Sequence, residues 1–276
     1  MRIKITGKTG YISTHLRDYF EAQGINAECI SLRNGAESVD LKNTDVLIHC
    51  AALVHQKGGA NAPEIDYMGV NYHMAVELAK KAKAQGVEHF VFFSTMSVYA
   101  RSEGEIKDTD IAKEAGKKPV LYGTAKLLAE DDIEELREDT FKVTILRPPM
   151  VYGKDCPGNF ARLKRLAEIT PVFPKVDNQR GMIYIENLVK IVYEIVKEGK
   201  EGIILPQDKY VNTSEMVKKI GEAKGRNIYL SPFLGFFAQH IPLGVFKKVF
   251  GSLYYDEAIA YNGNFVDFEE AIKRSV

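Results

Sequence analysis

The chain has 276 residues, enough for one large core or a core with a smaller appended lobe. Its 37 Lys and Arg balance its 37 Asp and Glu with no long basic run, which argues against nucleic acid as the main partner. Cys29, Cys50 and Cys156 lie far apart without metal-ligand or pairing pattern, so the sequence predicts buried thiols, no metal, and a reducing, cytoplasmic setting.

Arg2–Thr6 alternates as a strand and ends at Gly7-Lys-Thr-Gly10-Tyr-Ile-Ser13. No charged stretch followed by an apolar one precedes it, so no signal peptide is expected. A helix is predicted over roughly Ser13 to Ala22, with Ile12, Leu16, Tyr19 and Phe20 at helical spacing, and Gly24 stops it. Ala27–Leu32 reads as a second strand. Between Asn34 and Thr44 there is little room, so any helix there is lost or shortened. Asp45–His49 is a third strand, followed by a Gly- and Ala-rich loop and a helix from about Tyr67 to Gln85 with Val70, Met74, Leu78 and Ala82 facing inward. His89–Ser94 is nearly all apolar, as a strand buried on both faces requires. A helix from Tyr122 to about Arg137 and a strand over Phe141–Leu146 follow.

This rhythm predicts an α/β fold: a Rossmann-type doubly wound parallel sheet over residues 1–147, with a smaller C-terminal lobe over most of 148–276. The lobe is marked by Pro148, Pro149, Pro157, Pro171 and Pro174, and the chain is expected to rejoin the first domain over about 182–205. Helices are predicted over Ile185–Glu198 and Thr213–Ala223. The late apolar stretch, Tyr229 to Phe250, is too broken by Pro232, Gly235, His240, Pro242, Gly244, Lys247 and Lys248 to span a membrane, and core or subunit packing is expected of it.

Three groups of residues carry chemistry. Gly7-x-x-Gly10-x-x-Ser13 sits between strand and helix, where backbone N–H groups and the helix dipole can receive a pyrophosphate; Ser13 replaces a third glycine. The second strand ends at Ser31-Leu-Arg33-Asn34 with no acid for a ribose 2′-hydroxyl, while Arg33 could meet a 2′-phosphate, so NAD and NADP both stay open. Ser94-Thr95-Met-Ser97-Val-Tyr99 places hydroxyls at the carboxyl end of a buried strand. Tyr122 and Lys126 are four apart and so share a helix face. A phenol needs about 3 pKa units, roughly 4 kcal/mol, to reach neutrality, and a neighbouring ammonium and a nicotinamide cation act in that direction.

Together with His49-Cys-Ala-Ala-Leu-Val-His55, Val70-Asn71 and Leu146-Arg147-Pro148-Pro-Met-Val-Tyr152-Gly153, these motifs resemble the extended short-chain dehydrogenase/reductases, the NAD-dependent epimerase/dehydratase family, over nearly the whole chain. The resemblance implies Tyr122 as general acid/base, Lys126 as the ribose-holding and phenol-acidifying residue, and Thr95 as the catalytic Ser/Thr. It implies a dinucleotide lined by Gly7, Thr9, Gly10, Tyr11, Ile12, Arg33, Asp40, Leu41, Ala51, Ala52, Asn71, Ser94, Lys126 and Pro148. A UDP-sugar-like substrate would meet His55, Thr95, Ser97, Asn159 and Arg180; Gly181 departs from the usual serine or aspartate.

The fragments are similar to bacterial UDP-hexose 4-epimerases and 4-ketoreductases of surface-polysaccharide pathways. Expected is therefore NAD(P)-dependent epimerisation at C4 of a UDP-hexose through a 4-keto sugar. The alternatives are NAD(P)H-dependent reduction of a UDP-4-keto-6-deoxyhexose and a non-catalytic dinucleotide-binding regulator. Met96 and Ser97 stand where a dehydratase needs a carboxylate pair. By the same resemblance, the helices beginning at Tyr67 and Tyr122 would pair two copies into a homodimer.

Overall fold

The computed structural model describes residues 1–54, 66–112, 122–208, 210–240, 250–263 and 265–276. The first elements are β1 (Arg2–Thr6), α1 (Tyr11–Ala22), β2 (Asn26–Ile30), β3 (Val46–His49), α2 (Met74–Ala84) and β4 (His89–Phe93). Next come β5 (Gly104–Ile106), α3 (Tyr122–Glu134), β6 (Lys142–Leu146), β7 (Met150–Tyr152), α4 (Asn159–Ile169), β8 (Val172–Pro174) and β9 (Met182–Tyr184). The chain closes with α5 (Ile185–Glu198), β10 (Gly202–Ile204), α6 (Thr213–Ala223), β11 (Tyr229–Ser231), α7 (Pro232–His240), β12 (Leu253–Tyr255) and α8 (Phe268–Ser275).

These form two compact units. The first holds Met1–Ala100, Ile111–Arg147 and Val189–Ile204; the second holds Arg101–Asp110, Pro148–Leu188 and Leu205–Val276. The stretch 101–110 thus joins the second unit, because β5 pairs in parallel with β12, a partner the sequence hides by its distance.

In the first unit six parallel strands run in the order β10-β6-β4-β3-β1-β2. The direction of winding reverses between β1 and β3, and ligands of such sheets bind outside the strand ends at that reversal. β3 and β4 are buried at every position, as their unbroken apolar runs demand. Leu78, Ala79 and Ala82 of α2 and Ala129 and Ile133 of α3 pack on Leu47, Phe90 and Phe92 of the sheet. Tyr19 and Phe20 of α1 meet the Tyr193 ring of α5 at 5.6 and 5.8 Å.

One helix reading holds and another changes. The chain between Asn34 and Thr44 keeps one 3₁₀ turn, Ala36–Ser38. Residues Met68–His73 wind as a wider π-helical turn before α2, so the inward face is Ala75, Val76, Leu78, Ala79 and Ala82, with Val70 and Met74 only half-buried. The shift in register follows from the extra residue that a π turn inserts.

The second unit is built from small pairings, β7 with β9, β8 with β11 and β5 with β12. Buried amides lace it together. Asn178 Nδ2 donates to Thr213 Oγ1 at 2.9 Å while its Oδ1 accepts from Thr213 N, and Asn187 exchanges two bonds with the Val266 backbone. Among the described residues, no helix is long and apolar enough to cross a membrane.

Candidate active site

The turn after β1 is shaped for close approach. Gly7 sits at φ 94°, a conformation that favours glycine, and a Cβ on Gly10 would lie 2.8 Å from Ser13 Oγ. Ser13 is buried, and its hydroxyl donates to the Gly7 and Gly10 carbonyls, so this departure from the three-glycine pattern braces the turn from beneath. The N-terminus of α1 has no side-chain cap and no acid in its first turn, which leaves its first N–H groups directed outward. Thr9 is exposed and Tyr11 and Ile12 half-buried on the same lip.

The opposing edge, Ala51 to Leu53, is held by two buried polar residues. Ala51 N donates to Thr6 Oγ1 at 3.0 Å, and Thr6 Oγ1 lies 2.8 Å from His49 Nδ1. Asn71, wholly buried, accepts from Leu53 N at 2.8 Å and donates to Leu53 O at 2.9 Å. Ala51 and Ala52 remain half-buried. This cradle, with its outward N–H groups, fits the pyrophosphate of a dinucleotide by the chemistry of its donors.

Arg33 and Asp40, expected to line the dinucleotide, are both exposed. Leu41 behaves otherwise than expected of a lining residue: its side chain is wholly buried in the core and its N–H donates to Gln85 Oε1 at 2.7 Å.

Beyond β4 the chain makes a 3₁₀ turn, Met96–Tyr99, capped by Thr95, whose Oγ1 accepts from Ser97 N at 3.1 Å and lies 3.2 Å from Ser97 Oγ. α3 begins hard against this turn. A Cβ on Gly123 would stand 2.4 Å from the Ser97 carbonyl oxygen, so only glycine admits this approach of the helix to the turn that Thr95 caps. The Tyr67 ring meets the Tyr122 ring edge-on at 6.1 Å.

Lys126 is fully buried. Its Nζ donates to Phe93 O at 2.8 Å and lies 4.4 Å from the Phe92 ring centroid. Burial lowers its pKa to about 8, a fall that Cys50 and Glu130 partly oppose. Tyr122 departs from expectation. Burial and the neighbouring Tyr67 push its pKa up to about 12, the reverse of the acidification expected from Lys126, whose ammonium is bonded to the Phe93 carbonyl.

Below Lys126 lies a network that sequence reasoning missed. Glu130, one helical turn on, accepts from Ser94 Oγ and from Arg147, whose Nε reaches its Oε2 at 3.0 Å and whose Nη2 reaches it at 2.5 Å. Arg147 Nη1 also donates to Tyr99 Oη at 3.0 Å. The Ser94 hydroxyl, expected to face the dinucleotide, is thereby turned into the interior. The available signal was the spacing of Glu130 from Lys126, matching that of Lys126 from Tyr122.

In the second unit, Arg180 pairs through its backbone with Val211, and its Nη1 donates to Gly251 O at 3.2 Å. Asn159 is the exposed first residue of α4, and Pro148 is buried. Gly181 has a local cause: a Cβ there would meet Gln207 Oε1 at 2.1 Å, and that amide is clamped to the Tyr255 backbone on both sides. His55 lies outside the described residues. Among the described residues no cluster of His, Cys, Asp and Glu could hold a metal.

Comparison with known proteins agrees with this arrangement. The family described as the NAD dependent epimerase/dehydratase family matches residues 3–205. A UDP-glucose 4-epimerase of Vibrio cholerae is 30% identical over 285 residues, spanning 91% of this chain and 82% of that protein. Among solved structures, a UDP-glucuronic acid 4-epimerase from Bacillus cereus in complex with NAD superposes with a TM-score of 0.74 at 16% identity, covering 100% of this chain and 97% of that one. A human epimerase family protein with NADPH gives a TM-score of 0.71 at 17% identity, covering 99% and 98%.

Proposed function

This chain belongs to the NAD-dependent epimerase/dehydratase family, and on that premise we propose that it is a nucleotide-sugar epimerase acting at C4 of a UDP-hexose. The observation that supports a mechanism is the close approach of Gly123 to the Ser97 carbonyl, which brings the start of α3, where Tyr122 stands, against the turn that Thr95 caps. The bound nicotinamide dinucleotide, NAD or NADP, supplies the acceptor and then the donor of the C4 hydrogen.

The C4–H of a hexose is not acidic, so the protein has to act on the attached hydroxyl. Thr95 orients that oxygen by its hydroxyl, and Tyr122 takes its proton as the sugar becomes a 4-ketose and returns it to the epimer. Lys126 holds the carrier's ribose. Arg180 and Asn159 are the residues we assign to the nucleotide diphosphate, since a guanidinium fork matches phosphate oxygens. Grip on that remote group leaves the ketose free to turn. Met96 is buried and apolar at the position where loss of water from the sugar would need an acid, so the 4-ketose keeps its substituents.

Incubating the protein with UDP-galactose or UDP-N-acetylgalactosamine tests this. The expected outcome is a mixture of C4 epimers formed with only catalytic dinucleotide. Consumption of one NAD(P)H per product would overturn it in favour of a reductase. We also propose that two copies pair through α2 and α3. The outward positions Glu77, Lys80 and Asp131 make that face polar, so light scattering at micromolar concentration decides it.

A further inference from the structure

We infer that Glu130, gripped by Arg147 and Ser94, is a positioning residue that keeps the buried Lys126 cationic and ties this lysine's helix to the strand end bearing Thr95. The inference deepens the proposed function without depending on which sugar is used.

The side chains of Lys126, Glu130 and Arg147 are all buried, at 0%, 2% and 9% exposure. Glu130 follows Lys126 by one helical turn on the same face. An ammonium sealed from water loses its proton readily unless an anion accompanies it. Among the described residues, the other titratable groups around Lys126 are held neutral. From β3, His49 is driven well below its ordinary pKa by burial and is neutral, and burial raises the Cys50 thiol so that it too is neutral. From β4, the Phe93 carbonyl and the Phe92 ring offer dipoles only. Tyr122, one turn earlier, is a protonated phenol. Cys50 and Glu130 both act on Lys126 in the raising direction, and of the two Glu130 is the one held as an anion, by its bonds from Arg147.

Burial raises the Glu130 pKa on balance, and the bonds from Arg147 and the Ser94 hydroxyl act against that rise. The bonds to Arg147 are two-pronged and fix the carboxylate plane. Ser94 adds geometry to charge, because its backbone N–H donates to Leu146 O at 2.7 Å and its side chain to Glu130, immediately before Thr95. Removing the anion would leave two buried cations together.

The test reads NAD affinity by calorimetry across neutral to alkaline pH, a measurement independent of turnover. Wild-type affinity is expected to fall as pH rises through about 8, where Lys126 loses its proton. In Glu130→Gln the midpoint is expected to drop by at least about one pH unit, a roughly fivefold weaker affinity at the wild-type midpoint and roughly tenfold well above it. Glu130→Asp, which keeps the charge, is expected to hold the midpoint even where thermal stability falls. An unmoved midpoint in a folded Glu130→Gln protein, or no alkaline midpoint in the wild type, overturns the inference. Should Glu130→Gln not fold, Ser94→Ala decides: a lowered midpoint supports the role and an unchanged one refutes it. Normal NAD binding with the shift present, but no turnover of any UDP-hexose, would defeat the proposed function alone.

Discussion

Burial, with Tyr67 beside it, pushes the Tyr122 phenol up to about 12, so this residue is built as a proton donor, and its work as a base needs the charge that arrives with the dinucleotide. Tyr122→Phe is expected to lower kcat by at least about 10³-fold while leaving NAD affinity within twofold, measured by epimer assay and calorimetry. Lys126 gives the pH dependence. Its ammonium is present below about 8 and lost above, so kcat/KM should fall on the alkaline side of that value. A rate profile flat to pH 9.5 would contradict the lysine's role. At this scale the sequence reveals residues whose chemistry is local, such as the Tyr122–Lys126 spacing and Gly7. It conceals those defined by distant partners. Glu130 looks like a solvated helix acid until Arg147 and Ser94 close around it, and Leu41 looks like a lining residue until the core takes it.

Among the elements, α3 depends most on a single atom that is missing. Gly123→Ala places a methyl against a backbone carbonyl rather than a flexible side chain, so helix or turn must move. The expected result is a loss of about 1–3 kcal/mol in stability and about 10²-fold in kcat, seen by denaturant unfolding and the epimer assay. The central strands carry a second liability. His89, between β3 and β6, is held down to about 4 from its ordinary 6.5 by burial and Lys142, and its Nε2 lies 2.7 Å from Thr144 Oγ1. Its folded pKa is depressed, so the stability it contributes is full above 6.5 and is lost as pH falls toward about 4. That loss is about 3 kcal/mol, and the buried neutral His49 adds to it in the same direction. Urea midpoints should therefore decline steeply between neutral pH and about pH 5, and His89→Gln should flatten the decline. Regular helices such as α5 and α6 are legible to the residue, since their apolar period is unbroken; the π turn before α2 is not, because periodicity assumes a constant pitch.

On the scale of the molecule, neither unit is a continuous piece of chain. A fragment ending at residue 147 would lack β10 and all of α5, exposing the edge of β6 and stripping the core of Ile191, Val192 and Ile195. Such a fragment is expected to aggregate, whereas one that also carries residues 189–204 on a short linker should elute as a folded species in gel filtration. The parallel sheet itself is legible from the alternation of apolar strands and amphipathic helices. The assignment of β5 is not, since three residues have no period to read.

The pairing of β5 with β12 also sets a timetable. On the ribosome the first of these strands emerges roughly 150 residues before the second, a wait of about ten to thirty seconds at ordinary synthesis rates. Through that interval the nascent protein carries a solitary strand whose mate does not yet exist, and for about the first two thirds of it β10 is missing as well. Newborn copies are thus exposed to mispairing with their neighbours on a crowded polysome, and slower translation lengthens the hazard.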